Sequence, residues 1–192
     1  SLGAVMALAA GLAVVLWRQA RLGRWSRERL TQAVSALMVL VAVGLAIRAV
    51  TRSDNQLNWE HFTAGRAAIW GAAWPYLVDG WLFGHGLGSW WMWADAYSEA
   101  KIGPSVTLQA HNEYLQLAFE LGAVGLVLGL LSLVVLARRA RHALESSDWP
   151  WVGVLAAVMV NALVSPPLHL PSHAVVALFA VARVSRYTLT PR

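Results

Sequence analysis

Residues 107–125 have the sequence "TLQAHNEYLQLAFELGAVG". A polar cluster, HNEY at residues 111–114, comes directly before a long apolar run. A neutral imidazole at such a position can accept a proton from a hydroxyl near pH 7, so His111 is a candidate general base. Asn112, Gln116 and Glu120 recur every four residues, which predicts one polar stripe along a helix. Ionisable groups at membrane depth are costly and usually face a cavity or a partner, so the stripe could line a ligand site. The alternative is that these residues only pack against a neighbouring loop.

Arg66 is the second candidate, because it opens the mostly apolar stretch "GRAAIWGAAW". A guanidinium group stays charged under all plausible conditions, and its planar fork matches the oxygens of a phosphate. Its position is equally compatible with an interfacial arginine whose charged head reaches lipid headgroups. Position alone therefore leaves an anion ligand and a membrane anchor open.

Three alternating glycines in "FGHGLGSWW", Gly84, Gly86 and Gly88, form the third candidate. Glycine lets the backbone approach a ligand closely, and successive backbone N–H groups can form a nest for an anion. The stretch neither follows a predicted strand nor opens a helix, so it is not a dinucleotide fingerprint. A plain turn is the alternative interpretation.

The sequence lacks the residues or motifs for several other kinds of catalytic site. The chain has no cysteine, which excludes thiolate nucleophiles, thiolate metal sites and disulfides. His169 and His173 are four residues apart, but Pro171 lies between them, so no helix holds them as a zinc-binding pair. Neither a G-x-S-x-G motif nor a P-loop is present. The expectation is a site that uses no metal ion and no cofactor.

The composition is that of a membrane protein. Of the 192 residues, 58% are hydrophobic and 13% are charged, against roughly 25% charged in soluble domains. The net charge of +5 could indicate a nucleic-acid partner, but the arginines fall between apolar runs, so nucleic acid is discounted. The chain begins inside an apolar run, and we expect residues 1–192 to be one membrane domain, the C-terminal portion of a larger protein.

Apolar runs of near-spanning length predict an all-α, multi-pass transmembrane protein with about five spans. The segment "SPPLHLPSH" carries three prolines, so it divides the last apolar region into two shorter helices. The predicted spans are 2–17, 33–50, 114–137, 151–164 and 168–184.

Basic residues give the predicted spans an orientation. If the spans alternate, 11 of the 15 basic residues fall on one side, which the positive-inside rule makes cytoplasmic. Residues 51–110 and 165–173 then face the other side. Residues 51–110 are predicted to be a periplasmic or interfacial segment, with a helix broken at Pro75, because indole rings favour the membrane interface. This segment holds Trp59, Trp70, Trp74, Trp81, Trp90, Trp91 and Trp93.

Taken together, "GRAAIWGAAWPYLVDGWLFGHGLGSWW" followed by "AHNEYLQLAFELGAVGLVLGLL" resembles the core of the O-antigen ligase and polymerase superfamily. The resemblance covers residues 64–131, and the flanking spans fit in hydropathy. It implies a GT-C-like glycosyltransferase of the bacterial inner membrane whose active site faces the periplasm. The family has about a dozen spans, so five are fewer than half of that number.

The resemblance also implies partners and roles. Such enzymes transfer a glycan from an undecaprenyl-diphosphate carrier to lipid A-core in ligases, to a growing glycan in polymerases, or to a protein hydroxyl in O-oligosaccharyltransferases. The essential arginine and histidine of the family fall on Arg66 and His111, which gives a metal-independent, inverting transfer. Asn112 or Glu113 would orient the histidine, and the polar stripe and the glycines would line the cavity. A transporter or non-enzymatic membrane scaffold is the alternative from another class.

Overall fold

The computed structural model describes residues 2–51, 66–93 and 109–187, and the predicted interfacial Trp59 lies outside these ranges. All regular structure in the described residues is helical, as the sequence predicts. Two short 3-10 turns, Trp90–Trp93 and Pro167–His169, lie between the longer helices. The helices are α1 (Leu2–Arg21), α2 (Arg27–Thr51), α3 (Arg66–Asp79), α4 (Glu113–Ala143), α5 (Trp149–Asn161) and α6 (Pro171–Ser185).

Two helices of the described chain, Gly3–Arg21 within α1 and Glu113–Ala143, are long and apolar enough to cross a membrane by length and composition. The apolar α5 and α6 are shorter, and the proline-rich segment separates them as predicted. The count of five spans stays a prediction.

Helix α4 consists of two segments that meet at Gly122, whose φ of 60° and ψ of −158° are not helical. In a straight helix, Leu117 and Gly129 would lie about 18 Å apart along the axis. Here the Leu117 side chain would come within 3.1 Å of a Cβ placed on Gly129. The two segments therefore bend sharply at Gly122. The second segment keeps about 20 residues, which is enough to span a bilayer.

The chain divides into two compact units, Ser1–Val50 with Leu133–Arg192, and Thr51–Ser132. In the first unit, α1 packs along α5, and α5 packs against α6. Glycines allow close approach of the first pair, since a Cβ on Gly11 would lie 3.6 Å from the Gly153 carbonyl oxygen. The unit is thus a bundle of apolar helices held by small residues.

A buried carboxylate ties together one end of this first unit. Asp148, directly before α5, is fully buried and pairs with Arg183 and Arg186 at the end of α6. The Tyr187 hydroxyl donates to the same carboxylate over 2.8 Å. The hydrogen bond from Tyr187, and then those from the two arginines, lower the pKa of Asp148 below its ordinary value, against the effect of burial.

Asp148→Asn is expected to lower the melting temperature of the protein by several degrees, because two guanidinium groups lose their shared counter-charge. The lowered pKa means that the stabilisation by Asp148 is present at neutral pH and is lost as the pH falls through that pKa. The variant should therefore melt with a flatter acid-side pH dependence. Thermal unfolding between pH 3 and 7 measures both effects. The matched control is Glu145→Gln, whose ion pair with Arg21 is exposed and should matter little.

Candidate active site

Helix α3 positions Arg66 at its first turn in the second unit. The helix runs from Arg66 through Pro75 to Asp79, so the predicted break at Pro75 is wrong. Proline removes one helical N–H donor, which leaves the carbonyl four residues earlier, at Gly71, without its helical partner. Gly71 is solvent-exposed in the chain, so this loss does not bury an unsatisfied carbonyl. Arg66 itself is half-buried.

An aromatic core holds α3, the 3-10 turn and α4 together. Trp90 is 1% exposed and packs edge-on against the buried Phe119, with ring centroids 4.9 Å apart. Ile69 and Ala73 of α3 and Ala110 before α4 complete this cluster. Trp90 thus packs inside the protein, and the location of this segment at the membrane interface stays a prediction. The Trp90 ring fills the core because the chain before it turns tightly at three glycines.

The backbone of Ala110, immediately before His111, is held from two sides. The Trp70 indole N–H donates to the Ala110 carbonyl oxygen over 2.8 Å. The Ala110 N–H donates to Oε1 of Gln116 over 3.2 Å. Ala110 is fully buried, so both bonds form away from water. They fix the residue that carries the chain into His111.

His111 has an unusual backbone conformation, with a φ of 53° in the left-handed region that side chains rarely adopt. Asn112 follows it and caps α4, because its Oδ1 accepts a hydrogen bond from the Leu115 N–H over 3.0 Å. That oxygen is thus engaged in capping, while the predicted role of Asn112 or Glu113 in orienting the imidazole stays a prediction. Glu113 lies half-buried in the first turn of α4.

The hydrogen bond from Trp70 to Ala110 joins the chain before His111 to α3, one helical turn after Arg66. Burial of the imidazole, and then the charge of Arg66, lower the pKa of His111 below its ordinary value of 6.5. Since both effects oppose protonation, the imidazole is neutral at pH 7 and can accept a proton. The second unit therefore contains a fixed cation, Arg66, and a base whose pKa its charge lowers, His111.

The polar stripe forms a hydrogen-bonded chain along α4. Gln116 donates to Oε1 of Glu120 over 2.9 Å, and Oε2 of Glu120 accepts from the Gly88 N–H over 2.9 Å. Gln116 and Glu120 are 5% and 6% exposed, so most of their polar surface lies inside the protein. Their predicted contact with substrate stays a prediction. What the structure assigns them is the connection between Ala110 and the glycine turn.

The glycine turn, residues 80–88, satisfies the backbone groups that the break at Gly122 leaves open. A broken helix has carbonyls without donors before the break and amides without acceptors after it. The amides of His85 and Gly86 donate to the carbonyls of Phe119 and Glu120, over 3.0 and 2.9 Å. The amides of residues 123 and 124 donate in turn to the carbonyls of residues 81 and 82. Both sides of the break are thus capped by one loop.

The backbone of the glycine turn lies so close to the backbone of α4 at the break that both need glycine at the contact. A Cβ on Gly84 would overlap the backbone of Glu120, and a Cβ on Gly122 would lie 2.5 Å from the Leu82 carbonyl. Gly84, Gly86 and Gly88 all have a positive φ. Their three N–H groups already donate within the protein, to the Gly80 carbonyl and to Glu120. An anion nest would need those donors, so the predicted substrate contact of the glycines stays a prediction.

His85, to which the sequence gives no role, fastens the glycine turn to α3. Its Nε2 lies 2.7 Å from the carbonyl oxygen of Tyr76, and its ring packs against Phe119 and Trp93. A Cβ on Gly80 would lie 2.7 Å from that same Nε2, which is why residue 80 has no side chain. Sequence reasoning also missed Trp70, although its spacing of one turn from Arg66 on α3 is a visible signal.

Within the described residues, no group of three or more His, Cys, Asp or Glu side chains could hold a metal ion.

Comparison with known proteins identifies a family that this chain matches. The family model described as O-antigen ligase matches residues 1–130, which is more than half of the chain. The matched region includes α1, α2, Arg66, the glycine turn and the first segment of α4 with His111. No curated protein matches the chain. The family and the apolar helices together indicate a membrane protein. With its arginine, its histidine and its glycine-capped helix break inside the matched region, the chain belongs to the O-antigen ligase family.

Proposed function

We propose that this chain transfers a glycan from an undecaprenyl-diphosphate carrier to an acceptor hydroxyl, by metal-independent, inverting glycosyl transfer. Membership of the O-antigen ligase family implies glycan transfer of the ligase or polymerase type from lipid-linked substrates. The observation that supports the finer proposal is the 2.8 Å hydrogen bond from Trp70, one helical turn after Arg66, to Ala110, the residue before His111. The charge of Arg66 also lowers the pKa of the imidazole, after the effect of burial. A cation and a neutral base in one place are the two groups that this reaction needs.

The roles follow from the chemistry of the bond exchange. The acceptor oxygen forms a bond to the anomeric carbon while the bond from that carbon to the diphosphate oxygen breaks. His111 takes the proton of the acceptor hydroxyl, which has a pKa far above neutrality. Arg66 holds the diphosphate and offsets the negative charge that grows on its oxygen as it leaves. Attack on the face opposite the leaving group inverts the anomeric centre.

The proposed site faces the periplasm of the bacterial inner membrane, within a multi-pass, GT-C-like fold of about five spans. In the first unit, Arg18 near the end of α1 donates to the Leu144 carbonyl over 3.0 Å, and Arg139 of α4 donates to the Ser185 carbonyl of α6 over 2.8 Å. With Arg183 of α6, which pairs with Asp148, arginines from three helices thus gather at one end of that unit. This supports a cytoplasmic location for that end under the positive-inside rule.

Reconstituted transfer tests the proposal directly. The purified chain in lipid nanodiscs is mixed with a labelled undecaprenyl-diphosphate glycan and lipid A-core, with and without EDTA. We expect a labelled product with inverted anomeric configuration by NMR, formed equally in EDTA. Glycan and protein acceptors offered in parallel separate an O-antigen ligase from a polymerase and from a protein O-oligosaccharyltransferase. Failure to bind the carrier or to transfer to any acceptor would favour the scaffold or transporter alternative.

The pH dependence of transfer provides a second prediction. A base with a lowered pKa is lost only when the pH falls below that pKa, so transfer should stay constant near neutrality and decline only as the pH falls through the lowered pKa of His111. The charged group that acts on this pKa is Arg66 on α3. Arg66→Met should raise the pKa of His111, because a repelling charge is removed. NMR titration of ¹³C-labelled histidine measures this pKa, and a decrease in the variant would contradict the assignment.

A further inference from the structure

We propose that Trp70 is a positioning residue that sets the His111 imidazole relative to Arg66, acting through the peptide backbone of Ala110. The inference rests on the proposed function, and it adds a residue to which neither the family resemblance nor the polar stripe gives a role. Trp70 does not touch the reacting atoms in this proposal. It acts by holding the chain that carries the base.

The hydrogen bond of Trp70 joins the two elements that carry the site. Trp70 lies one helical turn after Arg66 on α3, so both side chains project from the same face of that helix. Its indole N–H donates to the Ala110 carbonyl over 2.8 Å, and Ala110 is the residue directly before His111. The length of this bond therefore fixes how far the residue before the base lies from the helix of the cation.

The backbone of His111 requires such a restraint. Its φ of 53° is unfavourable for a residue with a side chain and persists only where the surroundings enforce it. Asn112 fixes the chain after His111 by capping α4, and the Ala110 peptide fixes it before. With the indole donor removed, the peptide is free to rotate and the imidazole can leave its place.

Gln116 binds the preceding peptide group, between residues 109 and 110, whereas Trp70 binds the peptide between Ala110 and His111. Gln116 accepts from the Ala110 N–H over 3.2 Å and donates to Glu120, which is bound to the glycine turn. Gln116 is thus tied into the capped helix break, so its removal would disturb several elements at once. Trp70 holds the Ala110 carbonyl by a single indole N–H, which makes it the cleaner test.

The experiment compares Trp70→Phe with Trp74→Phe on the same helix, where Trp74 is 65% exposed. Trp70→Phe keeps an aromatic ring and removes the donor. We expect its kcat to fall by roughly 10- to 100-fold with the KM for the labelled carrier unchanged within about twofold, because a base displaced by about 1 Å can cost that much. Trp74→Phe should stay within about twofold of the unchanged protein in both constants.

NMR titration of His111 separates a positioning role from a merely structural one. Trp70→Phe should shift the imidazole ¹³Cε1 resonance and its titration midpoint, while Trp74→Phe should leave both in place. Should Trp70→Phe not fold, benzothienylalanine at position 70 removes the N–H and keeps the shape of the ring.

The outcomes distinguish the two proposals. An unchanged protein that transfers no glycan defeats the proposed function, and the NMR titration still tests the positioning. An unchanged protein that transfers glycan, with Trp70→Phe equally active and its His111 titration unaltered, overturns the role of Trp70 alone.

Discussion

Arg66→Ala and His111→Ala should each lower the rate of glycan transfer by at least about 10²-fold, with little change in folding. Removal of a group that stabilises developing charge costs about 10²–10³-fold, and removal of a general base costs about 10²–10⁴-fold. Both side chains are half-buried, and neither belongs to the core cluster of the second unit. The defect should therefore appear in transfer and not in the melting temperature.

The two variants should differ in which constant they change. Arg66→Ala should raise the KM for the undecaprenyl-diphosphate donor and also lower kcat, because the guanidinium holds the diphosphate both before and during its departure. His111→Ala should lower kcat chiefly, since the proton moves only during attack. Arg66→Lys should recover part of the activity, because it keeps the charge and loses the planar fork.

Matched controls come from exposed residues of the first unit. Arg24→Ala and His142→Ala change the same residue types at exposed positions, and transfer should persist in both. Initial rates with labelled donor and a fixed acceptor measure the difference. Full transfer by Arg66→Ala or by His111→Ala would rule out the assigned chemistry.

Much of the helical architecture follows from the sequence, because apolar runs of bilayer length have few alternatives. The paired helices around the proline-rich segment are an example. Pro75 shows where local rules are overridden. Its missing N–H predicts a break, yet packing of Ile69 and Ala73 into the aromatic core keeps α3 continuous through it. The packing of Trp90 is a further example, since the abundance of tryptophans in residues 51–110 does not reveal that this ring fills the core.

The pair of Arg66 and His111 could be chosen from residue types and from the family resemblance, because few cations and bases suit the chemistry. The hydrogen bonds that hold the backbone around that pair could not be predicted from the sequence. The bond from Trp70 to Ala110 spans 40 residues, and the one from Gly88 to Glu120 spans 32. Such contacts depend on how α3 and α4 pack, and a single sequence carries no direct signal of it. For the same reason, a polar stripe that predicts a cavity lining can instead serve as an internal brace.

The break in α4 predicts a large loss of stability when Gly122 is replaced. Gly122→Ala should destabilise the protein by roughly 3–5 kcal/mol, since its backbone conformation is essentially restricted to glycine and costs about 1–3 kcal/mol in another residue. The new Cβ would also lie 2.5 Å from the Leu82 carbonyl and 2.6 Å from the Gly84 N–H nitrogen. These are backbone atoms of the turn that caps the break, so they cannot move without breaking its hydrogen bonds.

Gly71→Ala, in the same unit, should change the stability of the protein in the opposite direction. Gly71 lies inside α3, with no atom within 4 Å of its added Cβ, so alanine should stabilise the helix by roughly 0.5–1 kcal/mol. Thermal and denaturant unfolding in detergent compare the two substitutions under one set of conditions. If the glycine turn caps the break as described, Gly122→Ala should also release Glu120 from Gly88 and slow glycan transfer. Stability and transfer rates equal to those of Gly71→Ala would mean that α4 can pass residue 122 as an ordinary helix, and that the turn does not hold the site.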